Sequence, residues 1–148
     1  MKVWIRNLQK LIPLDSKKLR RVAKTILTDL ALTDAEVSVS FVDDGQIREL
    51  NHRFLGRDKP TNVLAFSMRE GEFVSLHPQL LGDVVISADT AQRQSNRFGL
   101  SETEMVILLM IHGILHLLGY EHEGTKRGAR QMALKQKDLL MKSIQKLK

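Results

Sequence analysis

Cysteine is absent from the 148 residues, which excludes disulfides, thiol nucleophiles, iron–sulfur clusters and cysteine-ligated zinc. Histidine is left as the only soft-to-borderline metal ligand of consequence, and there are five. Aromatic residues are only 5% of the chain, too few for rows of base-stacking side chains, so contact with nucleic acid is expected to run through phosphates. Apolar runs are short. The longest, Met105 to Ile111, falls far below the ~20 residues needed to span a bilayer. The opening MKVWIRNLQKLIPLDSKKLRR carries charge throughout and lacks the apolar centre of a secretory signal. A soluble, cytoplasmic protein without membrane association is expected.

Hydrophobic residues make up 43% and charged residues 27%, which fits a folded core and excludes wholesale disorder. The length suits one domain, residues 1–148, that needs no staples. Twenty-three Lys and Arg against 17 Asp and Glu give a formal charge of +6, which favours a polyanionic partner, with an ordinary solvated basic surface as the alternative.

Alternation of Val3 and Ile5 with polar neighbours predicts a strand over residues 2–7, and Val37, Val39 and Phe41 predict another over 36–42. Asp15 or Ser16 caps a helix whose apolar positions run from Leu19 to Leu30. Asp43 or Asp44 caps a shorter helix carrying Ile47, Leu50 and Phe54, which Pro60 is expected to stop. Strands are predicted at 62–66 and 83–86, separated by a surface loop over 68–81. A helix over 88–97 ends at Gly99, and the capping box SETE opens a helix that is apolar on every side and belongs in the middle of the core. A basic amphipathic helix, residues 125–147, is expected to dock through Met132, Leu140, Ile144 and Leu147. The class is α+β, with about four strands in a mixed sheet packed with helices.

The chemistry concentrates in HGILHLLGYEH, residues 112–122. His112 and His116 are four apart on the central helix, about 6 Å along its axis and on nearly one face, so two imidazoles can reach one ion. Gly119 can take the left-handed conformation that ends a helix and turn the chain so that His122 returns toward the pair. A single histidine in an apolar helix is usually a hydrogen-bonded core residue. Three of the five in eleven residues, with a turn glycine between, point instead to a metal site at the end of a buried helix, a metzincin-like arrangement. His112, His116 and His122 favour one zinc ion with water in an open fourth position. A structural ion is the competing reading, its shell closed by Glu121, Glu123 or His77. Metalloproteases with HExxHxxGxxH place their general base directly after the first histidine. Gly113 stands there instead, which disfavours a conventional peptidase and leaves phosphodiester cleavage, where a metal and nearby cations share the work.

At these residues the chain resembles the YbeY family of metal-dependent endoribonucleases. The family pattern HGxLHLxGYDH appears as HGILHLLGYEH, and the likeness continues through LNHRFLGRDKPTNVLAFS (residues 50–67) and LGDVVIS (residues 81–87). The resemblance implies an α+β fold, zinc on the three histidines, and hydrolysis of RNA in rRNA maturation and ribosome quality control. It implies as partners rRNA, the small ribosomal subunit, and ribosomal-protein or GTPase factors. One position departs: the family commonly carries arginine before the glycine of LGRDKPT, and Leu55 stands there. Arg53, Arg57 and Lys59 are the candidate phosphate contacts, with a solvated loop as their bland alternative. Three functions follow: a single-strand-directed endoribonuclease, a ribosome-assembly factor with a structural metal, or a peptidase with Glu121 or Glu123 as base. The residue that moves the proton is not identified by the sequence.

Overall fold

Residues 1–69, 78–120 and 125–147 are described by the computed structural model, and within them four strands form one mixed sheet. The strands are β1 (Lys2–Asn7), β2 (Glu36–Val42), β3 (Val63–Ser67) and β4 (Leu80–Ser87), in the order β1-β2-β4-β3. β1 and β4 lie parallel to β2, and β3 closes the edge antiparallel to β4. The helices are α1 (Ser16–Asp29), α2 (Asp44–Leu55), α3 (Ala88–Phe98), α4 (Glu102–Leu117) and α5 (Lys126–Leu147).

Period-two alternation divides the strand side chains between two cores. Val3, Val37, Val39, Phe41, Val84 and Ile86 join α1 and α4 in the larger core, while Val42, Leu64 and Val85 meet Ile47 of α2 on the opposite face. α4 runs through the large core with Met105, Val106, Ile107, Leu109, Met110 and Ile111 all buried. Its capping box, Ser101 with Glu104, is worth about 1 kcal/mol, whereas each large apolar side chain buried contributes roughly 1.5–3 kcal/mol. Burial therefore holds this helix in place and the cap fixes its first residue.

Three predicted boundaries are corrected. α2 ends at Leu55, not Pro60, because Gly56 takes the left-handed conformation and its N–H closes back onto Asn51 and His52. β3 covers Val63–Ser67, one residue on from the predicted start. β4 begins at Leu80, before the expected Asp83, since Leu81 enters the core and β2 pairs along its whole length. Within the predicted 68–81 loop, residues 70–77 lie outside the described ones. On α5 the buried positions are Met132, Leu139 and Ser143, with Leu140 and Leu147 packed beside them; Ile144 is only half-buried and outside that cluster.

No single helix among the described residues is long and apolar enough to cross a membrane; a bent α3–α4 pair passes by length and composition together, but α4 is the core helix.

Candidate functional site

The C-terminal half of α4 meets the edge strand β3 across a cleft of about 720 Å³. Helix and strand approach closely because position 113 has no side chain. A Cβ at Gly113 would fall 2.5 Å from Val84 Cγ1 and 3.3 Å from Val63 Cγ2. Where a peptidase carries its glutamate, this fold has no room even for a methyl group.

His112 and His116 face the cleft from α4, their rings edge to face with centroids 4.5 Å apart. Their Nε2 atoms lie 3.0 Å from one another. Two nitrogens that each bind one tetrahedral ion at ~2.0–2.1 Å stand about 3.3 Å apart, close to the separation of this hydrogen-bonded pair. Nδ1 of His112 is hydrogen-bonded to Gln136 Oε1 of α5. An amide oxygen only accepts, so this bond requires a His112 ring that carries a proton on Nδ1. The donor set fits a borderline first-row cation.

Past His116 the chain turns as predicted. Gly119 has φ of 95°, its N–H donates to His116 O at 3.0 Å, and the Tyr120 N–H donates to Leu115 O at 3.1 Å. These two bonds make a Schellman ending, which reverses the chain after the second histidine. His122, with Glu121 and Glu123, lies outside the described residues, as does His77. Among the described residues no three His, Asp or Glu side chains converge on one point.

The opposite wall is the segment after α2. Arg57, Lys59 and Leu55 line the cleft with the histidines; Arg53 does not, and its guanidinium pairs with Glu49 at 3.4 Å. The placement of Arg57 and Lys59 has identifiable causes. Asn51, buried at 2% exposure, donates from Nδ2 to Lys59 O at 2.9 Å and accepts the Arg57 N–H on its backbone oxygen at 3.2 Å. Arg48 grips Asp58 with two bonds, 2.8 and 3.3 Å. The hydrogen bond from Arg48 and then its charge hold the Asp58 carboxyl below the usual range. This exposed pair adds little stability, but it neutralises the one acid between the two cations. Among the described residues neither Arg57 nor Lys59 is ion-paired. Leu55 is half-exposed at the rim.

Sequence reasoning missed Asn51 and Gln136. Both are amides on the apolar stripe of their helix, Asn51 one turn after Ile47 and Gln136 one turn after Met132, and a polar residue in such a stripe signals a specific partner.

Paired helical histidines beside a cationic wall stand on a four-stranded mixed sheet, and the fold places this chain in the α+β class. Comparison with known proteins narrows the class. The sequence profile for "Endoribonuclease YbeY" matches residues 4–144. Proteins of that name are 48% identical over 138 residues in Syntrophotalea carbinolica, covering 93% of this chain and 92% of the relative, and 45% identical over 140 residues in Geobacter sulfurreducens, covering 94% and 93%. The solution structure of TM1509 from Thermotoga maritima superposes with a TM-score of 0.68 at 28% identity, over 97% of this chain and 91% of that one. The chain belongs to the endoribonuclease YbeY family.

Proposed function

We propose that this protein is a zinc-dependent endoribonuclease that cuts single-stranded segments of rRNA during maturation and quality control of the small ribosomal subunit, in the cytoplasm. The observation that carries the reading is the convergence of two Nε2 atoms, 3.0 Å apart, in a cleft shared with Arg57 and Lys59.

His112 and His116 would hold the ion, with His122 as the expected third ligand. When bound, the ion supplies positive charge against a phosphoryl oxygen and lowers the pKa of water toward ~7. The rest falls to the chain. Arg57 and Lys59 bind the phosphates flanking the scissile bond and keep the strand against the α4 wall. The cleft of about 720 Å³, lined by both histidines, Arg57 and Lys59, is the expected seat of a single unpaired strand. Ribosomal-protein and GTPase partners belong to the same proposal through the family.

The crowding at Gly113 denies the usual peptidase general base a place; Glu121 and Glu123, the bases that the peptidase reading uses instead, lie outside the described residues. The assembly-factor reading draws on Leu55 at the rim, where the family commonly has arginine. The deciding experiment incubates zinc-loaded protein with an rRNA precursor beside a His116→Ala control. Cleavage by the loaded protein alone supports the nuclease. Zinc-loaded protein that cuts no better than the control overturns it, and a fall in melting temperature on chelation then assigns the ion to the fold.

A further inference from the structure

α5 docks on α4 through an apolar stripe with one amide in it. Met132 and Leu139 are buried, and Gln136 lies between them on the same face, four residues after the first and three before the second. Gln136 is half-buried in this seam, and its Oε1 is hydrogen-bonded to Nδ1 of His112, 24 positions earlier.

We propose that Gln136 is a positioning residue, which sets the tautomer of His112 and thereby presents its Nε2 lone pair to a metal ion. A neutral imidazole carries one proton, and an isolated histidine prefers it on Nε2, the atom that here faces His116. The amide oxygen has lone pairs only, so it draws the proton to Nδ1 and fixes the plane of the ring. The same bond ties α5 to α4 at the level of the first histidine, so the docked seam and the site geometry are set together. The effect on metal affinity rests on the metal-binding reading above; the effect on the tautomer does not.

Full-length wild type, Gln136→Leu and Gln136→Glu separate the two. In metal-free protein, long-range nitrogen–proton correlation spectra of the histidine rings report the tautomer directly. Wild type is expected to hold His112 with its proton on Nδ1, Gln136→Leu to shift it toward Nε2, and Gln136→Glu to restore the wild-type pattern. A competition titration should then find zinc bound 10–100-fold more weakly by Gln136→Leu and at least as tightly as wild type by Gln136→Glu. Unchanged tautomer and unchanged affinity in Gln136→Leu overturn the proposal. If wild type itself holds no zinc, the metal reading falls and the spectra alone decide the role of Gln136. Should Gln136→Leu fail to fold in a thermal melt, Gln136→Glu carries the test: the Nδ1 proton kept supports the assignment, and its loss refutes it.

Discussion

Gly113 and Val84 are packed so closely that one added carbon on the glycine would lie 2.5 Å from Val84 Cγ1. This contact explains why the histidine motif departs from the peptidase pattern at its second position, and it lets α4 lie against the sheet with both histidines turned to the cleft.

Substituting Gly113 by Ala should therefore destabilise the fold by about 1–3 kcal/mol, the usual cost of overpacking a tight core. Glutamate there should cost more, without creating peptidase activity. Urea denaturation of Gly113→Ala, Val84→Ala and the double variant checks the cause. Because Val84→Ala removes the crowding methyls, the double variant should be more stable than the sum of the two single losses implies.

A second knot sits at the N-terminus of α2. The Asp44 carboxylate accepts from Ser87 Oγ at 2.6 Å, Thr90 Oγ1 at 2.8 Å and an Arg93 guanidinium nitrogen at 2.9 Å, joining α2, β4 and α3. Partial burial pushes its pKa up, but the three hydrogen bonds and the Arg93 charge together outweigh burial and hold it below 3.8. A carboxylate depressed in the folded state stabilises above its unfolded pKa, and that stabilisation is lost as pH falls through the folded value. Asp44→Asn should lose about 1.5–3 kcal/mol at pH 7. The gap between it and wild type should narrow in urea melts carried below pH 4, where wild type protonates and the variant has nothing to titrate.

The two cleft cations should act through phosphates. Arg57→Ala and Lys59→Ala are each expected to weaken binding of single-stranded RNA with little dependence on sequence, and to reduce the salt slope of log K by about 0.7 per lost contact. Arg53→Ala, with its guanidinium on Glu49 outside the cleft, should leave the slope unchanged. Fluorescence anisotropy across a salt series separates these outcomes.

Asn51→Leu keeps the branched four-atom skeleton of the side chain but cannot hold Lys59 O, so it should release the backbone that carries Arg57 and Lys59. RNA affinity should fall by more than protein stability explains. Equal binding by Asn51→Leu and wild type would show that the segment needs no such tether.

Much of this was legible from residue patterns, and the failures have physical causes. Asp15, Asp43 and Ser101 cap the helices expected of them because a short polar side chain before an apolar stripe has few other uses. Pro60 misled, since a proline marks where a helix cannot continue, whereas Gly56 marks where this one is actually turned off by its left-handed cap. Leu80 joins β4 through pairing with Glu36 of β2, a partner 44 residues away that no local window contains. The histidine pair was readable from its spacing of four. The partners that orient it and its cleft, Gln136 and Asn51, were not, because each acts on a residue whose proximity the fold alone creates. His122, the third member of the motif, falls outside the described residues.

The most direct measurement is a zinc-loaded crystal structure, paired with elemental analysis of the same sample. One ion per chain, held by Nε2 of both His112 and His116 at ~2.0–2.1 Å within the cleft that carries Arg57 and Lys59, is the predicted result. A protein that retains no zinc after loading, or an ion bound elsewhere with the two rings turned apart, would contradict it.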